Sequence, residues 1–142
     1  MRISYCMLAL CLLFSGMTTF PSSAQEYTQI GGYAAFIGPE DMYNSRGVRL
    51  TSLGDVLQQD RANFHRFGLR HPGDEGDPVF FDRGARSAIP TLYLQGGRIP
   101  ELEAMVRRGQ PFRAYMFICG YGYQPTRLIV VPEWYGDHSG CY

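Results

Sequence analysis

The sequence predicts a small α+β domain: short N-terminal strands, two or three helices, and a C-terminal β-hairpin with one disulfide. Three observations carry this. Two β-rich apolar runs, "FRAYMFIC" and "TRLIVVPEW", flank the turn-forming "GYGYQP". Apolar residues recur at helical spacing at Leu53, Val56, Leu57, Phe64 and Phe67. Of four cysteines, only Cys119 and Cys141 lie beyond the N-terminal apolar segment.

That segment reads as a leader over residues 1–24. Arg2 supplies a positive charge, "SYCMLALCLLFSGM" an apolar core, and Ser22 and Ala24 the small residues a signal peptidase reads. The core is too short for a permanent membrane anchor. Lipidation at Cys11 is disfavoured, because Leu10 is bulky and Leu12, Leu13 and Phe14 continue the apolar run. Cleavage after Ala24 leaves one domain, residues 25–142, exported to the periplasm or secreted. Its length allows a core that buries about two-thirds of the unfolded chain's surface.

Element by element, "YAAFI" (Tyr33–Ile37) lies between Gly-Gly and Gly-Pro and reads as a short strand. "RGVRLTS" puts Val48 and Leu50 on one face and Arg49 on the other, a second strand. Ser52 can cap a helix running from Leu53 to Phe67, with Asp55 in its first turn and Gly68 just past its end. "RHPGDEGDPVFFDRG" is a loop. In "SAIPTLYLQGG", helical spacing of Ala85, Ala88, Ile89 and Leu92 predicts a short helix, although "TLYL" also alternates as a strand would. "RIPELEAMVRRG" is a helix with Pro100 and two acids at its start, Arg107 and Arg108 at its end, and Gly109 as its stop.

The hairpin strands carry the longest apolar runs and are expected at the centre of the sheet, joined by a loop of about five or six residues. Cys6 and Cys11 leave with the leader, so Cys119 and Cys141 are expected to pair in an oxidising compartment. Such a bond would pin the tail "EWYGDHSGCY" over the hairpin and stabilise by about 3 kcal/mol.

Charge bounds the function. Removing Arg2 leaves twelve arginines against thirteen acidic residues, with no lysine. That balance argues against nucleic acid, which demands a basic field. No second apolar run reaches transmembrane length, and no motif implies a cofactor.

On a wheel of 100° per residue, Asp60 falls in the middle of the apolar stripe of the 53–67 helix. Gln58, Gln59, Ala62 and Arg66 lie opposite, Asn63 at one flank, Arg61 and His65 at the other. A carboxylate on an apolar stripe needs a partner. Arg46 and Arg49 are nearest in sequence, and Arg83 and Arg86 are the alternatives. Asp60 then acts as a structural bracket, or as part of a polar pocket with Asn63 and His65.

At these residues, "YNSRGVRLTS" followed by "QDRANFHRFG" resembles small exported bacterial proteins of unknown function, over Tyr43 to Asp77. The resemblance implies export and a single domain, and no mechanism.

Two further sets of residues suggest function. His71, Asp74, Glu75, Asp77 and Asp82 cluster on a Gly-rich loop, where carboxylates can hold a cation, but EF-hand spacing and zinc spacing are both absent. Tyr121, Tyr123, Trp134, Tyr135 and Tyr142 crowd the hairpin turn and the tail, as at a binding surface. Consecutive Asp137, His138 and Ser139 cannot easily line up as a hydrolase triad. The expectation is a non-enzymatic envelope protein that binds a protein or cell-wall component through Tyr121, Tyr123, Trp134 and Tyr135. The alternatives are a metal-assisted hydrolase using the 71–82 loop, and an inhibitor or immunity-type protein.

Overall fold

Three strands share one sheet in the computed structural model, which describes residues 24–136, 140 and 141. They are β1 (Tyr27–Ile37), β2 (Phe112–Tyr121) and β3 (Gln124–Pro132). The order is β1-β2-β3, with both pairings antiparallel. Residues 1–23, Asp137 to Ser139 and Tyr142 lie outside the described residues.

β1 is longer than its apolar core predicts. Tyr27 pairs with Tyr121 and Ile37 with Phe112, so β2 supplies a partner along the whole of "YTQIGGYAAFI". The register slips between Gln29 and Gly31, which makes a bulge at Ile30. Only β2 is central. β3 is an edge strand, because β1 returns to the other side of β2. The hairpin loop is two residues, Gly122 and Tyr123, with Tyr121 opposite Gln124. Gly122 has φ 57°, which a turn this tight favours.

The second N-terminal strand does not form. Residues 43–49 make a single bridge, Tyr43 to Arg49. The Asn44 side chain accepts from the amides of Arg46 and Val48, so a turn satisfies the backbone that a strand would have paired.

The helices are α1 (Leu53–Ala62), α2 (Arg83–Ser87), α3 (Ile89–Gly96) and α4 (Pro100–Arg108). α1 continues as a π-turn over Asn63–Phe67 and stops at Gly68, φ 68°. The 53–67 helix is therefore present with its last turn widened. "SAIPTLYLQGG" is helical, in two pieces, and Asp82 caps the first by accepting from the Ala85 amide at 2.9 Å.

One face of the sheet forms the core. Tyr33, Ala35, Ile37, Met116, Ile118 and Leu128 pack against Leu53, Val56, Leu57, Ile89, Leu102 and Val106. α1 and α3 approach closely at Gly54, where a Cβ would come within 2.9 Å of Pro90 Cα. The outer face carries the Cys119–Cys141 disulfide, Cα–Cα 5.5 Å, which holds Cys141 against β2 and leaves Cys119 fully buried. Among the described residues, no helix is long and apolar enough to cross a membrane.

The disulfide closes a span of 22 residues. The Cys119→Ser/Cys141→Ser protein should lose about 3 kcal/mol in urea denaturation, with the m-value raised because its unfolded chain is less compact. Equal midpoints for the two proteins would mean that the tail contributes nothing to stability.

Candidate functional site

The polar groups of α1 and its π-turn converge on Arg61, which is fully buried. Its Nε donates to Asp60 Oδ2 at 2.8 Å, and its Nη1 donates to the Glu75 carbonyl at 2.8 Å and to Asp77 Oδ2 at 3.4 Å. Its guanidinium lies over the Tyr33 ring at 3.9 Å and the Phe64 ring at 4.6 Å. Asp60 is buried as the wheel required, but its partner is its own neighbour. Arg46 is exposed. Arg49 instead donates to the carbonyls of Met42, Leu50 and Val106, tying the 43–49 turn to α4.

Two carboxylates thus share one cation. Asp77 also accepts from His65 Nε2 at 2.8 Å, and from the Val79 and Phe80 amides. Burial pushes Asp77 up, but these hydrogen bonds and Arg61 outweigh it and hold the carboxyl below its ordinary value. Asp60 has fewer donors, and burial pushes it up to about 7 against the pull of Arg61. Tyr33 is raised too, chiefly by burial. Its Oη and Arg61 Nη2 are buried with no partner among the described residues.

A second cluster adjoins the first. Asn63 donates to Asp41 Oδ1 at 2.8 Å, and the Gly38 amide donates to Asp41 Oδ2. The His71 ring lies 3.3 Å from Glu40, 3.4 Å from Asp74 and 3.8 Å from Asp41. Burial lowers the His71 pKa, but these three carboxylates more than reverse it. The polar pocket holding Asn63 therefore recruits His71, while His65 turns to Asp77.

The acidic loop proves to be an edge strap. Asp74 Oδ1 accepts from the Phe36 amide at 2.8 Å, and Glu75 Oε2 from the Ala34 amide at 2.9 Å. Both amides belong to the side of β1 that faces away from β2. Asp77 is held by Arg61, Asp82 by the α2 N-terminus, and His71 by its carboxylates. Of the weak metal candidates, His71 and Asp74 thus pair with each other, while Asp77 and Asp82 are committed elsewhere. Among the described residues, no three His, Cys, Asp or Glu side chains are grouped to hold an ion.

The predicted aromatic surface divides in two. Tyr121 and Tyr123 stand at the hairpin tip, 45% and 97% exposed. Trp134 and Tyr135 lie past the other end of β3, about 27 Å away at the usual rise per residue. There the two rings pack edge to face, and the Tyr135 hydroxyl donates to Glu101. Tyr121 packs on Tyr27, with ring centroids 5.3 Å apart. Tyr123 instead joins an apolar groove of about 610 Å³, lined by Ile30, Pro78, Val79, Phe81, Ala85 and Pro125 among others. The bulge presents Ile30 to this groove. Phe81 is 65% exposed. Sequence reasoning passed over Phe81, and the only signal was an apolar "PVFF" inside a polar loop.

Two outcomes follow from the shared cation. Arg61→Met leaves Asp60 and Asp77 without it and should cost about 3–5 kcal/mol in urea denaturation. Asp60 has a folded pKa raised from 3.8 to about 7. Its contribution is therefore present at acid pH and lost as the pH rises through that window. Asp41 and His71, both raised, share that sign. The lowered Asp77 loses its contribution only below its ordinary value. The melting temperature should fall between about pH 4 and 7, less steeply in Asp60→Asn. An unchanged slope in Asp60→Asn would refute the assignment of the proton to Asp60.

Comparison with protein-family models, curated proteins and solved structures finds no match to this chain. Function is therefore read from the geometry alone.

Proposed function

We propose that the chain is an exported, non-enzymatic binding protein of the bacterial envelope, and that it holds an apolar segment of a partner at the hairpin tip. The groove beside Tyr123 carries this reading. It joins two strongly exposed aromatic rings, Tyr123 and Phe81, to a wall of Ile30, Pro78, Val79 and Pro125. Large exposed aromatic surface beside a concave apolar wall is what recognition sites use.

The frame around the groove is held by short connections. Tyr123 sits on a two-residue turn, the disulfide ties β2 to the tail, and Asp77 pins the amides that lead into Phe81. A pre-ordered surface loses less entropy on binding. The carboxylates that a hydrolase would need hold backbone amides or arginines instead, which favours binding over hydrolysis.

Site-specific photo-crosslinking in intact cells tests the reading. A crosslinker replacing Tyr123 should capture a partner, and one replacing Trp134 should not. Tyr123→Ala and Phe81→Ala should each weaken capture about tenfold, with the melting temperature nearly unchanged. Absence of adducts at position 123, or equal adducts at 134, would sink the proposal.

A further inference from the structure

A second cleft lies between α1, the 43–49 turn and α2. Its volume is about 340 Å³, and its lining includes Asn44, Asp55, Gln58, Arg66, Arg83 and Arg86. We propose that it binds an oxyanion, the carboxylate or phosphate group of a small molecule, with Arg86 as anchor and Arg66 and Arg83 at the rim.

Arg86 carries the argument. It is only 6% exposed. Its Nη1 donates to the Phe80 carbonyl at 3.1 Å and the Phe81 carbonyl at 2.7 Å. Those are neutral acceptors, and among the described residues no carboxylate reaches its guanidinium. The other buried charged side chains all have an opposite charge nearby: Arg61 has Asp60 and Asp77, Glu103 has Arg98, and Asp41 has His71. A buried cation without a counter-charge is costly, and a site that supplies an anion removes that cost. The two carbonyls also fix the guanidinium plane, which suits two parallel hydrogen bonds to a carboxylate or phosphate.

The surroundings have the same sign. Arg66 and Arg83 are exposed and make no ion pair among the described residues. Asp55 is the one acid in the lining, so three guanidinium groups face a single carboxylate in a chain that is nearly neutral overall. Asn44 Oδ1 is taken by the Arg46 and Val48 amides, so Nδ2 remains as a neutral donor in the wall. Leu50 and Phe67 add apolar surface for the rest of the molecule. The volume is near the lower end for small-molecule sites, which restricts the ligand to one of modest size.

The test uses the oxidised mature chain, with phenyl phosphate and benzoate as matched probes at constant ionic strength. Saturable shifts of the Arg86 Nε–H and of the amides near 44, 58 and 83–86 in NMR spectra are expected. Phenyl phosphate alone saturating assigns a phosphate, benzoate alone a carboxylate, and both a general oxyanion site. Arg66→Gln and Arg83→Gln, both at exposed positions, should each weaken binding about two- to fivefold. Arg86→Lys keeps the charge, loses the fork and should weaken it about tenfold or more. No saturable shift with either probe, or unchanged affinity in the Arg66→Gln/Arg83→Gln protein, would overturn the proposal.

Discussion

One buried guanidinium sets the positions of the elements around it. Arg61 stacks on Tyr33 of β1, pairs with Asp60 of its own helix and Asp77 of the strap, and holds the Glu75 carbonyl. These partners lie on three segments, so the helix, the strand and the loop are fixed against one another at a single point. The strap then lies where Asp74 and Glu75 reach the free edge of β1. An open strand edge invites pairing with another chain, and side-chain acceptors on its amides block that. The acidity of this loop therefore has a structural explanation.

The π-turn at the end of α1 follows from the same arrangement. A widened turn rotates the residues after it relative to an ideal helix. His65 swings to Asp77 and Asn63 to Asp41, while Phe67 leaves the apolar stripe and becomes 45% exposed. Phe64 stays inside, covering Arg61 on one side and carrying Arg70 on the other at 4.1 Å.

What could be read from the sequence was what local chemistry controls. The Pro100–Arg108 helix has its proline, acids, arginines and terminal glycine in order, and forms as expected. The hairpin and the disulfide follow from composition and cysteine count. The full length of β1 was hidden because its partner lies at the far end of the chain, and its Gly-Gly looked like a boundary. Arg61 was hidden because a uniform wheel put it on a flank, and adjacent residues on a helix do not face each other. Its side chain doubles back to Asp60 under two aromatic rings, and only tertiary packing makes that favourable. The aromatic surface was half legible. Tyr123 is where a turn residue must be, but residues at the two ends of a strand cannot form one patch, however close they look in a tail-rich sequence.

The groove and the cationic cleft meet at the turn between the strap and α2. The Phe80 ring is fully buried and anchors that turn in the core, while the Phe81 ring stands outside it in the groove wall. Both carbonyls point to Arg86. Asp77 holds the turn from its other end, through the Val79 and Phe80 amides, and is itself tied to Arg61. The wall that presents Phe81 and the anchor of the proposed anion cleft are thus built from the same few peptide groups. The anion proposed for Arg86 would meet its Nε and Nη2, while Nη1 stays on the groove wall, so the two proposed sites share one side chain and two peptide groups.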